Sequence, residues 1–307
     1  MPKAEEGLRP PPTGVLVMAY GTPATANDVE AYYTHVRRGR PPTPELLADL
    51  QRRYRAIGGT SPLRERTEAQ AAGLAAALGD GFDVELGMKH APPFLEEAVE
   101  ALASRAVERA VGLVLAPHYS ALSVGEYEER IRAAAAGRFD IAMVRSWHDQ
   151  EGYLDLLSRR LSEAVASEAA RAPVHVLFTA HSLPARILGT GDPYPEQLAE
   201  TASAVARRAG LEPGSWSVAW QSAGRTPEPW IGPDLLTVLP RLAADGVGSV
   251  VVCPAGFVSD HLEVLYDLDV EAAGVARDLG LAFARTASLN DGPALCLALA
   301  EVVRRHA

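Results

Sequence analysis

The sequence predicts an α/β protein made of two similar Rossmann-like halves, each a four-stranded parallel sheet flanked by helices. Two observations predict it. Short apolar runs alternate with longer, alanine-rich amphipathic stretches, the pattern of βαβ units. The runs of the first part of the chain also recur, in order, in the second. They occupy 14–20, 83–89, 111–116, 141–147, 174–180, 216–221, 249–254 and 281–285. Each has the length of a strand rather than of a buried helix. Four precede a charged helix expected over 153–170 and four follow it. The boundary therefore falls near 150–172, with 1–150 as the N-terminal half and 151–289 as the C-terminal half. A last helix, 293–305 within the closing segment 290–307, is expected to pack back onto the N-terminal half.

The repeat is visible residue by residue. The first run reads Val15-Leu-Val-Met-Ala-Tyr20-Gly-Thr-Pro23 and the fifth Val176-Leu-Phe-Thr-Ala-His181-Ser-Leu-Pro184, so Tyr20 and His181 hold the same place. Leu115-Ala-Pro117-His118 is matched in the same way by Val252-Cys-Pro254-Ala255. Ligands of open parallel sheets bind beyond the carboxyl ends of the strands, which directs Tyr20 and His181 into the space between the halves. Chance likeness of two buried strands is the plainer alternative.

Composition narrows the function classes. A formal net charge of −10 argues against a nucleic-acid partner, whose binding surfaces are basic. Two cysteines, Cys253 and Cys296, are too few for a disulfide framework or a four-thiolate cluster. Residues 1–12 mix charge with proline and lack the apolar centre of a signal peptide, and no run is long enough to span a bilayer, so the expected location is cytoplasmic. One local exception to the acidic balance is His35-Val-Arg-Arg-Gly-Arg40, whose arginines suit an anionic small molecule if they are not simply a solvated loop.

Two sites draw attention as chemistry. His181 ends an apolar strand, where a histidine can serve as general base or metal ligand, although a hydrogen-bonded core histidine is the commoner case. The stretch Asp260-His-Leu-Glu263-Val-Leu-Tyr-Asp267-Leu-Asp-Val-Glu271 reads as one helix with Glu263, Asp267 and Glu271 along one face. Acids at this spacing repel, and no lysine or arginine stands between them. A row of oxygen ligands for a hard cation accounts for them; so does a solvated face, with Asp260 and Glu263 as a capping box.

Eight strings, MAYGTP (18–23), YYTHVRRGR (32–40), IGGTSPL (57–63), APHYS (116–120), AHSLP (180–184), GDPYPEQL (191–198), WQSAGRTPEPW (220–230) and GFVSDHLEVLYDLD (256–269), resemble the ferrochelatases, in order, over about residues 14–305. The likeness is nearest to the short, monofunctional enzymes of Gram-positive bacteria that act on coproporphyrin III. The resemblance implies a chelatase-like fold and a monomeric enzyme whose substrates are Fe2+ and a porphyrin. It gives His181 and Glu263 the iron and the pyrrole protons, and Tyr20 the axial position on the inserted iron. Arg37, Arg53, Tyr54, Ser61 and Tyr127 match substrate-contacting positions, and Asp267 and Glu271 an acidic ridge that passes hydrated metal inward. No [2Fe–2S] cluster, permanent cofactor or membrane insertion is implied, since residues 298–307 hold no cysteine and 38–63 lack an apolar lip.

The expected chemistry uses the arginines to grip propionates, spending that binding energy on puckering the ring, while a neutral His181 oriented by Glu263 accepts the pyrrole protons. Competing readings are a protoporphyrin IX ferrochelatase, a cobalt or iron chelatase acting on sirohydrochlorin, and a two-lobed carrier of metal or tetrapyrrole.

Overall fold

The structure is a computed structural model and describes residues 11–105, 107–169, 173–224 and 226–307. The first ten residues, and residues 170–172 of the boundary region, lie outside the described residues. In chain order the N-terminal half contains β1 (Thr13–Ala19), α1 (Val29–Val36), α2 (Pro44–Ala56), α3 (Leu63–Leu78), β2 (Phe82–Met88), α4 (Leu95–Ser104), β3 (Arg109–Val114), α5 (Val124–Ala135) and β4 (Asp140–Val144). Then follow α6 (Glu151–Ala169), β5 (Val174–His181), α7 (Tyr194–Arg208), β6 (Trp216–Gln221), α8 (Leu235–Ala244), β7 (Ser249–Cys253), α9 (Leu262–Leu265), a π segment (Asp267–Ala272), α10 (Ala273–Asp278), β8 (Ala282–Arg285) and α11 (Pro293–Arg304).

All eight predicted strands are present, each within two residues of its expected bounds except β4, which ends three residues early. Their order is β2-β1-β3-β4 in one sheet and β6-β5-β7-β8 in the other, every neighbour parallel. The two sheets thus share one topology, as the recurring sequence runs require. In each, the first strand lies between the second and third, so the crossovers leave it in opposite directions and a crevice opens at its carboxyl end. Tyr20 follows β1 directly and His181 closes β5. Both therefore stand at the switch points of their sheets.

Strands buried on both faces explain the continuous apolar runs: β1 and β7 are buried at every residue. The inner faces of the sheets share one apolar core, in which Val15, Val17 and Leu113 of the first half join Val176, Phe178 and Val251 of the second. The same core takes in Leu74 of α3, Tyr153 and Leu157 of α6, Leu198 of α7 and Leu299 and Val303 of α11. The outer faces carry separate cores, one under α4 and α5 and one under α8 and α10. α11 lies against α3 and α6, and α3 meets it at Gly73, where an added Cβ would come within 2.6 Å of Cys296 Sγ. No helix among the described residues is long and apolar enough to cross a membrane.

The single helix expected over the acidic stretch is not what forms. α9 is one turn, the segment Asp267–Ala272 is π-helical, and α10 resumes the α geometry. The Glu271 amide reaches back five residues to the Tyr266 carbonyl at 2.9 Å. A wider turn rotates residues four apart away from a common line, so Glu263, Asp267 and Glu271 do not form the straight row that α spacing predicts. Nor is there a capping box. The residue before α9 is His261, without a side-chain cap, and Asp260 instead accepts from Ser288 Oγ, Asn290 Nδ2 and Arg285.

Candidate active site

A cavity of about 510 Å³ opens between the halves, lined by Tyr20, Tyr32, Tyr33, Tyr54, Tyr127 and Tyr194, by Trp230 and Phe257, and by the polar groups His181, Glu263, His261, Lys89, Arg38, Glu126 and Ser61. Mostly apolar, aromatic walls with a few converging polar groups suit a flat, hydrophobic ligand that carries charge at its edges.

On the first wall, the chain beyond β2 prolongs its pairing with β1. The Lys89 amide donates to the Ala19 carbonyl at 2.8 Å and the His90 amide to the Tyr20 carbonyl at 2.9 Å. This clamps the Tyr20 backbone, while its ring rests on His90 with centroids 4.6 Å apart and stays 45% exposed to the cavity. Removal of the phenol from bulk water, and then the facing carboxylate of Glu263, hold its pKa above the ordinary tyrosine range. Tyr20 is accordingly a neutral phenol at physiological pH. Tyr54, bonded to Thr22 Oγ1 at 3.2 Å, is pushed up to about 12 mainly by burial.

On the second wall, His181 is fixed from several sides. Its Nδ1 faces the Ser182 carbonyl and its own carbonyl accepts from Tyr194 Oη at 3.0 Å. Its Nε2 lies 3.3 Å from Glu263 Oε1. The other carboxylate oxygen is 3.5 Å from His261 Nε2, and His261 Nδ1 is 2.9 Å from the Ser259 carbonyl. Glu263 thus sits between two imidazoles whose Nδ1 atoms are committed to backbone carbonyls. Its own backbone is held by buried Gln221, which donates through Nε2 to the Glu263 carbonyl at 3.0 Å and accepts from Thr179 at 2.7 Å.

Electrostatics correct the expectation of a neutral His181. Burial by itself lowers the imidazole pKa, but the adjoining carboxylate of Glu263 outweighs it and the result is raised to about 9. Glu263 moves the other way: burial opposes its charge, yet His181 and His261 hold it well below the usual carboxylate range. His181 and Glu263 are thus an imidazolium–carboxylate pair at neutral pH. Among the described residues, no three His, Cys, Asp or Glu side chains are assembled as a metal cage. A metal bound at Nε2 would have to displace the histidine proton to gain that lone pair.

The remaining predicted residues divide. Tyr54, Ser61 and Tyr127 line the cavity with Tyr20, His181 and Glu263. Ser61 Oγ also accepts from the Leu63 amide at 3.2 Å. Arg37 and Arg53 are not in the lining. Arg37 turns its Nε to the Arg40 carbonyl at 3.3 Å over the Tyr33 ring. Arg53 pairs with Asp267 at 3.2 Å and with Asp49 at 3.4 Å, above the Tyr266 ring. Arg53, from α2, thus supplies a counter-charge to Asp267, and Arg285, from β8, supplies one to Asp260 and Asp269. Asp267 is buried and also accepts from Ser222, but burial and the nearby Glu263 charge raise it to about 6. Glu271 is half-buried and does not line the cavity.

Sequence reasoning overlooked His261, Lys89 and Glu126 as cavity residues, whereas Arg38, of the arginine cluster it assigned to an anionic small molecule, does line the cavity. His261 reaches Glu263 because its backbone is extended (φ −157°) just before α9, whereas the continuous helix expected from the sequence would place residues two apart on different faces.

The ferrochelatase family model matches residues 12–307. The chain is 46% identical over 303 residues to the coproporphyrin III ferrochelatase of Geobacillus sp. (strain WCH70), covering 95% of this chain and 97% of that protein. It is 45% identical over 303 residues to the coproporphyrin III ferrochelatase of Anoxybacillus flavithermus, covering 95% and 96%. The ferrochelatase of Herpetosiphon aurantiacus is 43% identical over 300 residues, covering 95% and 98%. Among solved structures, SirB from Bacillus subtilis with Fe3+ superposes with a TM-score of 0.61 at 13% identity, covering 96% of both chains. CbiX, the terminal enzyme of siroheme biosynthesis in denitrifying bacteria, gives 0.55 at 17%, covering 96% of this chain and 99% of that one. At such identities these two likenesses concern the fold alone.

Proposed function

The chain belongs to the ferrochelatase family, and from that premise we propose that it is a metal chelatase inserting ferrous iron into coproporphyrin III to give iron coproporphyrin in haem synthesis. The observation that carries the reading is the His181–Glu263 pair on one wall of a tyrosine-lined cavity, with Tyr20 on the other. The relatives named for coproporphyrin III support the substrate.

The side chains suggest a division of work. Aromatic walls hold the macrocycle, and the cations and hydroxyls of the first half meet its carboxylates, so that edge binding offsets the strain of a puckered ring. Glu263, held ionised between His181 and His261, attracts Fe2+ first. The incoming charge then opposes the imidazolium beside it, His181 loses its proton, and its Nε2 becomes free to ligate iron or to take a pyrrole proton. His261 keeps Glu263 ionised throughout. Tyr20, a neutral phenol, turns toward the opposite face and becomes an iron ligand once the metal's charge lowers its pKa. Asp267 and Glu271, on the π segment, would relay hydrated metal toward Glu263. We also take the enzyme to be cytoplasmic and monomeric and to work without a permanent cofactor; its two cysteines are both buried and too few for an iron–sulfur cluster.

His181→Ala is expected to abolish iron insertion while leaving coproporphyrin III binding within about tenfold, because the ring is held at its edges. Absorbance of the metallated product and fluorescence titration of the porphyrin measure the two separately. Wild-type turnover in His181→Ala or Glu263→Gln would remove the assignment.

A further inference from the structure

Glu126 is the charged group of the cavity that this chemistry leaves unused. It sits in the first turn of α5, and its carboxylate is shared by two cations from other elements: Oε2 lies 2.6 Å from Lys89 Nζ and Oε1 3.0 Å from Arg38 Nη2. Lys89 is buried, with its ammonium also 5.0 Å from the centre of the Tyr127 ring. Arg38 reaches over from beyond the end of α1, where its backbone is left-handed (φ 57°), and its side chain is 79% exposed. All four residues line the cavity, and the other acid in that lining, Glu263, is engaged with the two histidines. An ammonium withdrawn from water needs a counter-charge, and Glu126 is the acid beside it.

The chemistry of that counter-charge is informative. A glutamate side chain is two methylenes ending in a carboxylate, which is the propionate substituent of a tetrapyrrole. We infer that Glu126 is a resident stand-in for one substrate propionate, occupying the Arg38–Lys89 pair in the empty enzyme and yielding it when a porphyrin carboxylate arrives. The inference rests on the porphyrin reading above. The exchange swaps one carboxylate for another, so the buried ammonium is never left unpaired. The Glu126 side chain is 30% exposed and has solvent to turn into. The exposed Arg38 contact is worth little, whereas the buried Lys89 contact is the one a propionate has to win. On the return path Glu126 competes with the product's propionate for the same two cations, which makes it a release device as well as a gatekeeper for carboxylate-bearing rings.

The test is Glu126→Gln, which keeps the shape but removes the charge, with Glu126→Ala alongside so that a misplaced amide does not decide the outcome. Affinity for coproporphyrin III is read by fluorescence titration and release of iron coproporphyrin by stopped-flow displacement. Binding is expected to tighten about tenfold, or ~1.4 kcal/mol, with release slowed in proportion. In a Lys89→Met background the gain should vanish. If both Glu126 variants are stably folded and bind the porphyrin no tighter than wild type, Glu126 is only a clamp and the exchange is wrong. A wild-type chain that binds coproporphyrin III but gains nothing from the substitutions overturns the exchange alone; one that binds no porphyrin overturns the substrate as well.

Discussion

In the proposed mechanism His181 carries the proton that iron has to replace, and this has a measurable consequence. With its pKa raised to about 9, one proton competes with metal across the physiological range. Affinity for Co2+, an iron substitute that does not oxidise readily, is expected to rise about tenfold per pH unit between pH 6 and 8, with release of one proton per metal bound. Glu263→Gln removes the carboxylate that raises the pKa and should flatten that slope. Calorimetry in buffers of different ionisation heat measures both, and a slope near zero in the wild type would contradict the imidazolium. The linkage to folding has the opposite sign. A raised histidine pKa contributes stability that is full below about 6.5 and is lost as pH climbs through about 9, while the depressed pKa of Glu263 contributes stability lost on acidification. Strand ends and an internal repeat placed Tyr20 and His181 on one crevice from sequence alone, and it was the family resemblance that added Glu263. Sequence could not assign charge states, which depend on partners from distant elements. Nor could it choose between Arg37 and Arg38: they are neighbours at the end of α1, and only the left-handed turn at Arg38 sends that side chain to the cavity.

The carboxyl end of β5 is aligned by the element that follows β7. Gly256 donates to the Thr179 carbonyl at 3.0 Å, and a Cβ there would lie 2.5 Å from Ala180 Cβ and 2.8 Å from Ala180 Cα. The neighbour is backbone and cannot step aside cheaply. Gly256→Ala should therefore shift the strand immediately before His181, costing about 1–3 kcal/mol of stability and up to about a hundredfold in kcat. Denaturant midpoints and iron-insertion kinetics check the two separately, and wild-type kcat would show that this contact does not position the histidine. Strands such as β1, β5 and β7 were readable to within one or two residues because a strand buried on both faces leaves an unbroken apolar signature. The π segment was not. Its apolar spacing is compatible with an ordinary helix, and its wider turn comes together with partners 45 and 214 positions away, Ser222 and Arg53, at Asp267.

Although the repeat suggests two lobes, the inner faces of both sheets share one core, and that makes the halves thermodynamically inseparable. Unfolding followed by tryptophan fluorescence and by far-UV circular dichroism should coincide in one transition, and the fragment 151–289 alone should stay unfolded. Phe178, fully buried in that shared core, should lose about 3–5 kcal/mol on replacement by alanine and lower the midpoint of both halves together. Two separated transitions would show that the lobes are independent after all. The contact of Gly73 with Cys296 gives this unity a direction in time. On the ribosome the first half emerges with the α3 face that α11 covers still bare, and it stays bare until the residues of α11 have themselves left the exit tunnel. The half made first is the half finished last, and throughout synthesis it presents the kind of open apolar surface that nascent-chain chaperones are built to shield.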